Sequence, residues 1–265
     1  AESEILKTVD WIKRTPNAYW FAGGDMIEGI LPDDKRFLAE AQKNEKVKEL
    51  GNALNWQIER ISEMLYPIKS KCLWWMSGNH EDTIQHKHYI DVSHILAHRF
   101  GVKNGKYDAY VRLVIQYNRT VKTIKIFACH GGGTGITLGA SINKITDAGN
   151  IIDADVYIAG HDHKDINAKM PLMVMSNTQP PYVDEKQRLF VRAGAYLKTY
   201  CKGISGYGEK KLYKPVSLGS PIIAIRAMLK KYNAGKHKEK GKNNDQRGLR
   251  PLIFMYSREQ EESAE

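Results

Sequence analysis

Four apolar runs in this chain stop at the same kind of place, a glycine flanked by Asp, Asn or His. Residues 18–22 run into Gly23-Gly24-Asp25, and residues 72–76 run into Ser77-Gly78-Asn79-His80. Residues 123–128 lead into Cys129-His130-Gly131, and residues 155–159 into Gly160-His161-Asp162-His163. Short apolar runs closed by glycine read as buried strands. Stretches with helical spacing lie between them: 2–14, with Ile5, Leu6, Val9 and Ile12 on one face; most of 32–66, with Leu50, Leu54, Ile58, Ile61 and Leu65; 83–100; and about 138–150. Strands alternating with helices predict an α/β fold, in which polar side chains gather at the carboxyl ends of the strands. Residues 111–117 and 123–128 read as a strand pair turning at Asn118-Arg119, and 166–176 and 187–197 as later strands.

Composition excludes several classes. A chain of 265 residues with 42% hydrophobic and 26% charged side chains is ordinary for a globular protein. No apolar run reaches 18 residues and no basic-then-apolar leader opens the sequence, so a cytoplasmic protein without a membrane span is expected, although the first residue is Ala1 rather than Met. Three scattered cysteines, Cys72, Cys129 and Cys201, form no CxxC pair and fit a reducing compartment, each as a small apolar side chain. The net charge of +10 is concentrated: residues 186–250 carry 17 Lys/Arg against 3 Asp/Glu, whereas residues 1–185 carry 22 against 23. Such an excess suits a polyanion, or a solvated tail with no partner. Its densest part, Lys230, Lys231, Lys236, Lys238, Lys240 and Lys242, has few apolar neighbours and reads as a flexible segment able to bind DNA or RNA, with Tyr196, Tyr200, Tyr207, Tyr213 and Tyr232 available to stack on bases. The chain divides on this basis into a domain over 1–225 and a basic tail over 226–265.

The polar residues at the strand ends form a recognisable ligand set. Hydrolysis of a phosphate ester is assisted by two divalent cations that acidify water and neutralise phosphate oxygens. Asp25 can bridge two such ions, His130, His161 and His163 supply imidazoles, and Asn79 supplies a neutral carbonyl oxygen. A mixed nitrogen and oxygen set favours Mn, with Fe, Zn or Ni as other candidates, over Ca or Mg. His80 is placed to protonate a leaving oxygen, with Glu81 beside it to orient the ring. Glu28 reads as a supporting residue or helix cap rather than a ligand. His86, His88, His94 and His98 share a helical stretch, but the His94/His98 pair has no acidic third ligand in a recognised motif. The run Gly131-Gly132-Gly133-Thr134-Gly135 lacks the lysine of a P-loop and more simply lets backbone approach the site.

The ordered motifs Gly24-Asp25-Met26-Ile27-Glu28, Gly78-Asn79-His80-Glu81, Cys129-His130-Gly131-Gly132 and Gly160-His161-Asp162-His163 resemble the calcineurin-like metallophosphoesterase family. The resemblance spans about residues 19 to 200. It implies a two-sheet β-sandwich flanked by helices in four layers, and phosphoesterase activity on mono- or diesters; the basic C-terminal third with its tyrosines favours nucleic acid or nucleotides as the substrate. It also implies that Asp25 bridges two metals, that Asn79, His130 and His161 complete one site, that His163 belongs to the other, and that His80 is the general acid.

The sequence departs from that pattern at its front. The family opens with a strand carrying Asp-x-His, and none occurs here; Asp91-Val92-Ser93-His94 has the wrong spacing. The simplest expectation is that the first strand lies outside the given sequence. The rival is a protein with one good metal site and one weak one, which binds nucleic acid through its basic C-terminal third.

Overall fold

The computed structural model describes residues 1–31, 53–117, 120–133, 137–200, 209, 214–225 and 250–256. Its strands form two sheets. β1 (Trp20–Gly23) and β2 (Cys72–Met76) pair in parallel. The second sheet has six strands in the order β6-β7-β5-β4-β3-β8, built from β3 (Asp108–Tyr117), β4 (Thr120–Cys129), β5 (Val156–Ala159), β6 (Ile166–Met175), β7 (Val183–Arg192) and β8 (Arg250–Tyr256). The central trio β4, β5 and β7 is parallel, and the flanking pairs β3/β4 and β6/β7 are antiparallel hairpins. Five α-helices accompany the sheets among the described residues: α1 (Glu2–Arg14), α2 (Ala53–Leu65), α3 (Asn79–His88), α4 (Val92–Phe100) and α5 (Leu138–Ala148).

Alternation along each strand explains how these parts stack. In β5, Val156 and Ile158 face one core while Tyr157 and Ala159 face another, and all four are buried. A strand covered on both faces is apolar at every position, which is why it reads as a continuous run. The first of these cores joins the two sheets: Trp74 and Met76 of β2 pack with Val111, Leu113, Ile126, Ala128, Ile158 and Val191, and Phe21 stacks on Trp74 at 4.2 Å. The second holds α5 against the six-stranded sheet through Ile145, Phe127, Tyr157 and Phe190. A third packs α1, α2 and α4 against the outer face of the two-stranded sheet around Trp75. The layers thus run helices, small sheet, large sheet, helix.

One irregularity serves this stacking. Between Trp20↔Cys72 and Ala22↔Trp75 the register gains one residue on β2. An extra residue turns two neighbours to one side, so Leu73 and Trp74 both reach the inter-sheet core while Trp75 faces the helices. Each buried indole removes on the order of 200 Å² from water, or roughly 5 kcal/mol of transfer free energy. Among the described residues the Nε1 groups of Trp74 and Trp75 have no hydrogen-bond partner, which gives back about 1–3 kcal/mol each.

The expected elements are largely present. The helix over 2–14 and the strand over 72–76 have the predicted bounds. The helical stretch 83–100 is two helices, α3 and α4, parted by Tyr89 at φ 56°, and Asp91 caps α4 by accepting the His94 N–H. The last predicted strand, 187–197, is instead β7 at Val183–Arg192. Part of the expected tail belongs to the sheet, because β8 pairs antiparallel with β3. The basic residues Lys230, Lys231, Lys236, Lys238, Lys240 and Lys242 lie outside the described residues. Among the described residues no helix is long and apolar enough to cross a membrane.

Candidate metal centre

Two registers deliver the site. In the small sheet Gly23 pairs with Met76, so the turns Gly24-Asp25 and Gly78-Asn79 leave their strands at one level. In the large sheet Cys129 pairs with Ala159, so His130 and His161 also leave together. Because the inter-sheet core holds the sheets face to face, the four strand ends open onto one place.

There, acceptor atoms converge. His130 is 2% exposed, and its Nδ1 donates to the Gly23 carbonyl at 2.9 Å. That bond assigns the proton of a neutral imidazole to Nδ1, leaving the Nε2 lone pair aimed inward. Nε2 lies 3.2 Å from Asp25 Oδ2 and 3.1 Å from Asn79 Oδ1, and His161 Nδ1 lies 2.8 Å from the same Asn79 oxygen. Asp25, His130 and His161 form a candidate metal-binding triad, with one ligand atom of each within 4.8 Å of the others. A cation with bonds of about 2.1 Å sets octahedral neighbours about 3 Å apart, and tetrahedral zinc slightly farther. The spacing of the triad therefore fits a divalent cation, and the Asn79 Oδ1 lies beside it. Among the described residues no other group of three His, Cys, Asp or Glu side chains converges in this way, the histidines of α3 and α4 included.

Electrostatics agree with the geometry. Burial pushes the Asp25 carboxyl up, but the His130 hydrogen bond and the His130 and His80 charges outweigh it and hold the carboxyl below its ordinary value. Burial disfavours a charged His130, yet Asp25 more than offsets this, so the imidazole sits above its ordinary value. His161 is held low by burial and by His130, and His163 is held low chiefly by burial. Both shifts favour the neutral imidazole, the form that can act as a ligand.

Glycine is required where the turns interlock. Gly24 has φ +87°, and a Cβ there would lie 2.6 Å from His130 Nδ1 and 2.6 Å from the Ser77 carbonyl. A Cβ on Gly78 would overlap the backbone nitrogen and carboxylate of Asp25. Three non-glycine residues of the turns at the site also adopt left-handed backbone: Asp25 at φ 51°, His161 at 73° and His163 at 58°. Each such residue costs roughly 1–2 kcal/mol, so neighbours must hold the turns in place.

Glu81 is one such neighbour, in a role unlike the expected one. Its buried carboxylate does not orient His80. It accepts the N–H groups of Asp25 at 2.9 Å, Met26 at 2.6 Å and Gly78 at 2.9 Å, tying the two turns of the small sheet together. Burial and the Asp25 charge raise its pKa despite these donors. The Asp25 carboxylate in turn accepts the His80 N–H at 3.0 Å, and so sits at the N-terminus of α3, where the helix dipole favours an anion. His80 is oriented by Glu28, through the backbone carbonyl rather than the side chain: Nδ1 donates to Glu28 O at 2.6 Å. His163 stands apart from the triad, although it senses the charges of Asp25, His80 and Glu28.

Several contributors carry no sequence signal. Tyr107 donates its hydroxyl to the Gly131 carbonyl at 2.9 Å and sets its ring edge against His130. Asp162 is buried between His161 and His163 and meets Ser141 of α5 and Arg192 of β7. Cys129 adjoins the site as an inert thiol, pushed up to about 11 chiefly by burial. Comparison of the chain with protein-family models, with curated proteins and with solved structures gave no match.

Proposed function

We propose that the protein is a metal-dependent phosphoesterase. The observation that carries this reading is the convergence of Asp25, Asn79, His130 and His161 from four strand ends of two sheets. The ordered motifs and the layered α/β architecture, which suit a metallophosphoesterase fold, add to it. Asp25, Asn79, His130 and His161 would hold one divalent ion, with Mn favoured over Fe, Zn or Ni, and Asp25 with His163 would contribute to a second. Bound there, such ions supply an acidified water and positive charge beside a phosphate.

The chain's own residues have distinct tasks. Asp25 and Asn79 set the oxygen side of the centre, and the two imidazoles set the nitrogen side. The Glu28 carbonyl fixes the proton of His80 on Nδ1. A doubly protonated His80 can then give a proton from Nε2 to the leaving oxygen, while the Glu28 contact keeps the ring in place. Gly131 and Gly132 keep the backbone beside His130 bare of side chains, so a phosphate can approach.

Among the described residues a single group of three ligating side chains converges, which favours a second reading, a catalytically weak protein with one competent metal site that binds nucleic acid through its basic C-terminal third. Hydrolysis of bis-p-nitrophenyl phosphate and p-nitrophenyl phosphate with Mn²⁺ separates the two, with His130→Ala as control. Turnover abolished by His130→Ala is the expected result, and the preferred ester distinguishes diesterase from monoesterase. Mn²⁺ binding without turnover supports the second reading. Turnover equal in wild type and His130→Ala refutes the site.

A further inference from the structure

Asp162 is a second enclosed acidic residue near the centre, with its side chain 1% exposed. Arg192, 2% exposed, approaches both oxygens: Nε donates to Oδ1 at 3.2 Å, and Nη2 lies 2.6 Å from Oδ2. Nη2 has no hydrogen bond, so this second contact is ionic and off the N–H axis. Ser141, fully buried in α5, donates its hydroxyl to Oδ2, and the Lys164 N–H reaches Oδ1 at 3.4 Å. One carboxylate thus ties the turn after β5 to the end of β7 and to α5.

The residues on either side of Asp162 are His161 and His163, both in left-handed backbone. A free His-Asp-His turn would leave that conformation, and His161 would swing away from Asn79. The anchor is two-sided. A buried guanidinium without a carboxylate is strongly unfavourable, so Arg192 holds Asp162 in place as firmly as Asp162 holds the turn. Arg192 also lies under Gly131, where a Cβ would stand 3.3 Å from Nη1, so the same guanidinium backs the turn that follows His130.

We propose that Asp162 and Arg192 are a positioning pair, which holds the His161 imidazole toward Asn79 through a buried two-point contact and so sets the metal affinity of the centre. The proposal rests on the metal-centre reading. Outer partners of metal ligands commonly change affinity by about ten- to a hundredfold.

The test is a double-mutant cycle on the full chain, read as Mn²⁺ binding by electron paramagnetic resonance and accompanied by circular dichroism melts. Asp162→Asn alone is expected to weaken Mn²⁺ binding by about tenfold or more. In a His161→Ala background it is expected to change the affinity no further, because its effect passes through that ring. Arg192→Lys, which keeps the cation, is expected to retain more affinity than Arg192→Leu. An equal loss from Asp162→Asn in both backgrounds, or no loss in either, overturns the proposal and leaves the metal centre standing. Wild type that binds no Mn²⁺, or His161→Ala that binds as wild type does, overturns the centre and the proposal with it. Should Asp162→Asn fail to fold, Ser141→Ala removes one anchor of the same carboxylate and enters the cycle in its place, with the same two results deciding.

Discussion

Glu81→Gln isolates what holds the Asp25 turn. The carboxylate, 1% exposed, takes two N–H groups on Oε2 and one on Oε1. Glutamine offers one oxygen. In its better orientation that oxygen keeps Asp25 and Gly78, and the Met26 N–H then faces an amide NH₂. An orphaned buried donor costs about 1–3 kcal/mol. The two surviving bonds lose their charge assistance, worth roughly 1 kcal/mol each, but the neutral side chain also escapes the burial penalty that raises Glu81. These two effects have opposite signs and offset one another in part. The net expectation is therefore a loss of about 1–3 kcal/mol, dominated by Met26. Urea denaturation of chelator-treated protein measures it, and hydrogen exchange should show the Asp25, Met26 and Gly78 amides opening faster than those of the β4–β5 pair. Mn²⁺ affinity is expected to fall about tenfold as the Asp25 turn loosens. Stability within about 0.5 kcal/mol of wild type, together with unchanged Mn²⁺ affinity, would refute the claim that Glu81 clamps the two turns.

Gly24→Ala places a Cβ against His130 Nδ1 and the Ser77 carbonyl at a left-handed position; a loss of about 2–5 kcal/mol is expected from backbone strain plus overpacking, read in the same denaturation assay. The Asp25–His130 pair makes metal-free stability pH-dependent in a defined sense. His130 is raised in the fold, so its contribution is full below the unfolded imidazole value of 6.5 and is lost as pH rises through the elevated one. Asp25 is depressed, so its contribution is present above 3.8 and is lost as pH falls through the lowered value. Denaturation midpoints of chelated wild type and His130→Gln should therefore differ most in the acidic window between those limits and converge toward alkaline pH, while Mn²⁺ affinity rises with pH as the proton leaves His130. Replacing Lys230, Lys231, Lys236, Lys238, Lys240 and Lys242 by glutamine should weaken binding to single-stranded DNA and flatten its salt dependence; an unchanged slope in a filter-binding titration counts against a nucleic-acid role. Substitution suits this test better than truncation, because β8 follows directly.

What the sequence revealed and what it hid divide along physical lines. Asp25, Asn79, His130 and His161 were legible because each follows an apolar run at a glycine, and parallel registers then bring strand ends to one level. The same runs gave β2 and β5, whose faces are both buried. The clamps were not legible. Glu81 sits beside His80 in sequence, yet in α3 its side chain turns toward the backbone of two turns, a direction no spacing records. Arg192 meets Asp162 only because β7 lies next to β5, 30 residues farther along the chain. The strand β8 was obscured for another reason: the apolar run 252–256 follows a strongly basic stretch, and composition averaged over the whole segment reads as a tail.

The seam between the sheets also bears on how the protein folds. The bond from His130 to Gly23 closes 107 residues of chain, and the contact of His161 with Asn79 closes 82. Closures of that length carry an entropic cost that is met before their contacts reward it, so they are expected in the last docking step rather than in an early nucleus. A cation gathered across the seam has little to grip until both sheets are formed. It should therefore leave the refolding rate almost untouched and act by slowing unfolding, giving the domain a longer native lifetime rather than a faster birth.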